Sequence, residues 1–153
     1  MKILFISIFT LSTLFSKGQI GTPVKESPSV TIGKIAPVGS FIMELSYRSN
    51  PEDPKDTTYT IRFRDYTYTH ITSIKSMSFS GIDGTVDKLY DLFKSVFAEE
   101  NRSNKDYAVT FTLGKELVQI ANFKSMGTTM AMLLVGKSYG LLTEKQVDKL
   151  FGK

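Results

Sequence analysis

Residues 77–97, MSFSGIDGTVDKLYDLFKSVF, change periodicity partway along. The first of them end a strand predicted through about 70–79, in a region rich in Thr, Tyr, Ile and Phe, which suit a pleated surface. Gly81-Ile82-Asp83-Gly84 closes that region. Beyond it, Val86, Leu89, Tyr90, Phe93, Val96 and Phe97 recur at i, i+3, i+4, i+7, i+10 and i+11, one stripe on a 3.6-residue period. The spacing predicts a helix over 86–100, capped by Thr85, with Asp87 in the first turn, where the helix dipole favours an acid. Burying its large apolar side chains is worth ~1.5–3 kcal/mol each, against ~0–1 kcal/mol for a surface ion pair. The stripe is therefore expected to lie on neighbouring strands, and an amphipathic helix among strands sets the fold class.

Outward from that helix the chain reads as strands. Phe41, Met43, Leu45 and Tyr47 alternate with Ile42, Glu44, Ser46 and Arg48, and Tyr59, Ile61 and Phe63 alternate with Thr60, Arg62 and Arg64. Asn50 to Asp56, with two prolines, interrupts them, and a turn is expected around Asp65–Thr69. After the polar segment 101–105, Tyr107 to Leu113 and Glu116 to Lys124 form a hairpin about Gly114-Lys115. Residues 125–129 turn again, and Met130–Val135 reads as a short buried strand. Thr143-Glu144-Lys145-Gln146 is a capping box with a Leu142/Val147 staple, opening a helix over about 144–151. The sequence holds no internal repeat or low-complexity tract. The expected fold is α+β: an antiparallel sheet of about five to seven strands, the 86–100 helix on one face, and the short C-terminal helix.

The N-terminal segment reads as an address. Ile3–Phe15 spans 13 residues and includes four hydroxylated ones, too short for the ~20 apolar residues that cross a bilayer. Lys2 before it and Ser16-Lys17-Gly18 after it fit a secretory signal cleaved after Gly18, with Gln19 as the second choice. The expected organisation is a cleaved signal at 1–18, an extended Gly/Pro-rich arm at 19–40 with at most a short strand at Ser29–Ile35, and a single domain at 41–153. Removing the signal lowers the formal charge from +4 to +2. The remaining lysines are scattered rather than striped, which argues against a nucleic-acid partner. The chain contains no cysteine, which excludes disulfides, thiolate metal sites, a cysteine nucleophile and a lipidated N-terminal cysteine. Export without cysteine points to a bacterial periplasmic or secreted protein with no stable membrane span after cleavage.

No motif carries a defined chemistry. AMLLVGKS (131–138) satisfies a relaxed phosphate-loop pattern, but its Met-Leu-Leu-Val wants burial, and Tyr139-Gly140 follows where a helix should open. His70, the single histidine, sits on the strand predicted over 70–79 with no second histidine for zinc. Glu52, Asp53 and Asp56 cluster without the spacing of a calcium loop. Asn101-Arg102-Ser103 matches a glycosylation triplet that carries little weight in a bacterium. Tyr59, Phe63, Tyr66 and Tyr68 near Arg62 and Arg64 suggest an aromatic-basic platform, but the alternation puts Tyr59 and Phe63 on the opposite side from the arginines. No catalytic, cofactor-binding or metal-binding residue is assigned. The leading expectation is a small exported non-enzymatic binding or protein-interaction domain, using a strand edge or a sheet face for a protein or small ligand. The alternative is a small cell-envelope hydrolase drawing on carboxylates such as Glu44, Asp65 or Asp83. The amphipathic helix and helical C-terminus argue against an outer-membrane barrel.

Overall fold

Eight strands form two antiparallel meanders rather than one sheet of about five to seven strands. The computed structural model describes residues 27–50, 53, 56–68 and 70–153; the signal at 1–18, the first part of the arm, and Glu52 lie outside the described residues. β1 (Val30–Ile35), β2 (Met43–Ser49), β3 (Thr57–Asp65) and β4 (Ser73–Ser80) make the first sheet, in that order. β5 (Ala108–Leu113), β6 (Glu116–Ser125), β7 (Thr128–Val135) and β8 (Ser138–Leu142) make the second. Each meander is followed by a helix, α1 (Thr85–Ser95) and α3 (Glu144–Leu150), with the short α2 (Glu99–Arg102) between the halves. The plan repeats although the sequence does not. The α+β class stands, while the single sheet does not. Alternation specifies strands, but pairing follows sequence neighbours within each half, and the long excursion through 81–107 ends the first ladder.

Both sheets turn an apolar face inward, and each face needs a cover. Met43, Leu45, Ile61, Phe63, Met77 and Phe79 from the first sheet meet Val118, Ile120, Ala131, Leu133 and Leu142 from the second in one core. The sheets approach where β8 crosses β3: Tyr66 N donates to Tyr139 O at 2.9 Å, and a Cβ on Gly140 would lie 2.9 Å from Met43 Cε. Elsewhere the helices fill the gap with Leu89, Phe93, Val96, Phe97, Val147, Leu150 and Phe151. Residues Val30–Ile35, expected inside the arm, pair along β2 through a bulge at Thr31/Gly33, and Ile35 is buried. At Gly33 the backbone of α3 lies so close that a Cβ would sit 2.3 Å from the carbonyl oxygens of both Lys149 and Leu150.

Several local expectations shift. The helix predicted over 86–100 stops at Ser95, because Ala98 adopts ψ 145 and Asn101 Nδ2 caps the Ser95 carbonyl at 2.8 Å. The break lets Val96 and Phe97 stay buried while the chain turns into α2. Thr85 does not cap α1: Gly84, with φ 69, occupies the N-cap, and the Thr85 hydroxyl donates back to Ile82 O. The C-terminal capping box forms as expected, Thr143 N donating to Gln146 Oε1 at 2.9 Å. Lys94 ties the helices together through Glu144 at 2.8 Å and Asp148 at 3.1 Å, and the Glu144 hydrogen bond raises its pKa. Among the described residues no helix is long and apolar enough to cross a membrane.

Candidate functional surface on the second sheet

The two sheets differ most on their outer faces. Register places Lys34, Glu44, Ser46, Arg48, Thr58, Thr60, Arg62 and Ser78 on the outside of the first sheet. Thr60 and Ser78 share a hydroxyl hydrogen bond at 2.9 Å there. Glu44 lies between Lys34 at 3.4 Å and Arg62 at 3.6 Å. With both cations about half exposed, those ion pairs contribute little, ~0–1 kcal/mol each. This is an ordinary solvated sheet face, concave enough to hold about 540 Å³ lined by hydroxyls together with Glu44, Arg48 and Arg62.

The outer face of the second sheet is built from different residues. β6 contributes Leu117, Gln119, Ala121 and Phe123, and β7 contributes Met130, Met132 and Leu134. Tyr139 and Leu141 complete it from β8, and Ala108, Thr110 and Thr112 from β5. None carries a charge. Leu117 is 66% exposed, and Phe123, Met130, Met132, Leu134 and Leu141 are half-buried. A depression of about 310 Å³ crosses β5, β6 and β7, lined by Thr110, Leu117, Val118, Gln119, Leu134 and Gly136. Gln119 Nε2 donates to Thr110 Oγ1 at 3.1 Å, so the face's central amide is anchored across strands. Water gains no charged group to solvate here, which sets this face apart from a scatter of single exposed leucines.

The hairpin joining β6 to β7 extends this surface. Ser125 pairs with Thr128, leaving a two-residue loop in which Met126 has φ 48 and Gly127 φ 79. Positive φ at both central positions is the type I′ pattern, which favours Asn-Gly. Met126 instead places a wholly exposed apolar side chain, at 103% relative exposure, in a left-handed conformation. Residues 125–129 read as a turn from sequence, but nothing local reveals that a methionine takes its left-handed position. Lys115 and Lys137 lie in the other two hairpins of this sheet, both exposed.

The carboxylates expected to serve a hydrolase lie apart. Glu44 is on the outer face of the first sheet, and Asp65 is buried on its inner side at the end of β3. Asp83 is exposed after β4, whose eight residues put about 24 Å between its ends. Asp65 joins the sheets: Oδ1 accepts from Thr67 N at 3.0 Å and Tyr139 N at 3.3 Å, while Oδ2 is buried without a direct hydrogen bond. Burial pushes this carboxyl up, but the polar groups of Thr67, Ser138 and Tyr139 around it together outweigh that, holding the pKa below the usual carboxylate range. Thr67 Oγ1 also donates to Lys137 O at 2.9 Å, so the β7–β8 turn is fastened to the same point.

The remaining sequence candidates are dispersed as well. His70 is exposed in a bend ahead of β4, which begins at Ser73 rather than at 70. Residues 131–138 are strand β7 and the Gly136-Lys137 turn into β8, with no helix after the lysine. Asp53 and Asp56 are exposed, and among the described residues no group of three or more His, Asp or Glu could hold a metal ion. The Asn101 amide is engaged with Ser95 O. The aromatic-basic residues divide: Tyr59 stacks on Phe79 with ring centres 5.8 Å apart, whereas Arg62 lies over Phe41 and Arg64 over Tyr66. Sequence reasoning missed Asn122, a half-satisfied buried amide whose Nδ2 donates to the carbonyls of Asn101, Arg102 and Asn104 at 2.8, 3.2 and 2.9 Å. It closes the C-terminal end of α2 from a strand 20 residues away, a contact without a local signal. Comparison with protein-family models, curated proteins and solved structures returned no match.

Proposed function

We propose that the protein is a small non-enzymatic interaction domain whose working surface is the outer face of the second sheet. The observation that supports this reading is the asymmetry between outer faces: charged and hydroxyl-bearing on the first sheet, uncharged and apolar on the second. A sheet face left in water needs only one apolar side, and a second apolar side is retained at a risk of aggregation unless it is covered in use. The hydrolase alternative draws no support from Glu44, Asp65 and Asp83, which lie on different faces and at different ends of the first sheet. The protein works, on this reading, outside the cytoplasm, as the signal-like segment 1–18 suggests; the intact mass of the protein recovered from its cell tests cleavage after Gly18.

The surface itself is tested by photo-crosslinking in the cell that makes the protein. A benzophenone side chain at position 117 is compared with one at position 60 on the opposite outer face. Adducts from position 117 and none from 60 are expected. Equal yields from both, or none from 117, would remove the reading.

A further inference from the structure

We infer that the outer face of the second sheet is covered by a second copy of this chain, packed face to face about a two-fold axis. This deepens the proposed interaction surface by naming its occupant. Charge is the first reason. A two-fold axis brings each face against itself, so any charge on it would meet its own like charge across an apolar interface. The outer face of the first sheet, with Glu44, Arg48 and Arg62, would suffer that penalty, whereas the second sheet's face carries none. A partner of different sequence would find no charge here to steer it or fix its register.

Side-chain composition agrees. The inner faces of the two sheets share one core and meet directly where β8 approaches β3, and the outer face of the second carries similar residues: Leu117, Phe123, Met132, Leu134 and Leu141. Four strands at ~4.8 Å spacing and about six residues at ~3.4 Å give a footprint of ~19 by ~20 Å, or ~390 Å² per copy before side-chain relief is added. Two copies together give ~780 Å² before that relief, below the ~1,200 Å² lower end of specific interfaces, so the dimer is expected to be weak and reversible, with Kd on the order of 1–100 μM.

Sedimentation velocity of the protein as recovered from its cell, between about 1 and about 300 μM, reads the association. The wild type is expected to rise from the monomer toward the dimer over this range. Leu117→Lys and the nearly isosteric Gln119→Glu are each expected to weaken self-association at least tenfold while keeping the wild-type far-UV circular dichroism; Thr60→Lys on the opposite face is expected to leave it unchanged. If Leu117→Lys fails to fold, Gln119→Glu carries the test, since it adds charge without changing size. A wild type monomeric throughout overturns the inference, as does a dimer that survives Gln119→Glu or is broken equally by Thr60→Lys. A monomer that still gives adducts to another protein, or to its own N-terminal segment, from position 117 ends the two-fold dimer and leaves the interaction surface standing. A monomer with no adducts ends both.

Discussion

Replacing Gly33 by alanine probes the docking of α3 on β1. The added Cβ would lie 2.3 Å from the carbonyl oxygens of Lys149 and Leu150, both backbone atoms that cannot rotate away. Ordinary C···O contact is ~3.3 Å or more, so the last turn of α3 must retreat by about 1 Å. That turn and its flank carry Val147, Leu150 and Phe151 into the core, together worth ~4.5–9 kcal/mol of burial. A gap of 0.5–1 Å forfeits roughly a quarter to a half of such contact energy, or ~1–4 kcal/mol. Against this stands ~0.4–1 kcal/mol gained by stiffening the unfolded chain. The net expectation is a loss of about 2 kcal/mol, close to the usual penalty for overpacking a core. Urea unfolding followed by far-UV circular dichroism measures it, and the Tm should fall by roughly 5–10 °C. Amide exchange should quicken first at 144–151. A variant equal to or more stable than wild type would refute the placement of α3 against Gly33.

Asp65→Asn should lower stability at neutral pH by about 1–3 kcal/mol, by weakening the acceptor that joins β3 to β8. Because the folded pKa lies below the unfolded value, the carboxylate's contribution is complete above that unfolded value, ~3.9, and is lost as pH falls through the lower folded one. Urea midpoints for both proteins from about pH 3 to 7 should therefore converge at the acid end, and a constant gap would contradict this account. Met126→Asn should stabilise the fold by about 0.5–1 kcal/mol, since asparagine tolerates the left-handed conformation that methionine resists. A lower Tm for this variant would show that the methionine is held by contacts of its own.

Local chemistry was legible wherever the next few residues settle the outcome. The stripe from Val86 to Phe97, the Thr143–Gln146 box and the Gly114-Lys115 turn all follow from neighbours within about one helical turn or one hairpin, and the structure contains each of them. The helix end was not legible: the Ser95 carbonyl is capped by Asn101, and Tyr107 OH donates to Ser95 Oγ at 2.7 Å, both from beyond the expected terminus. Asp65 and Asn122 look like ordinary turn-forming and polar residues in the sequence. Tyr139 reaches Asp65 only when the two halves of the chain meet, and the carbonyls of Asn101, Arg102 and Asn104 reach Asn122 only when β6 folds back on α2.

The candidate surface divides along the same line. The sequence by itself determined that strands, an amphipathic helix and a capped C-terminal helix exist, because side-chain period and capping are short-range properties. It also determined that no cysteine chemistry is possible. Only the tertiary structure decided that the strands split into two sheets, and hence which face of each turns inward. Met130–Val135 reads as one buried apolar run, yet Ala131 and Leu133 enter the core while Met130, Met132 and Leu134 line the outer face. Every strand has two sides by geometry, and which side water meets is settled by the other half of the molecule.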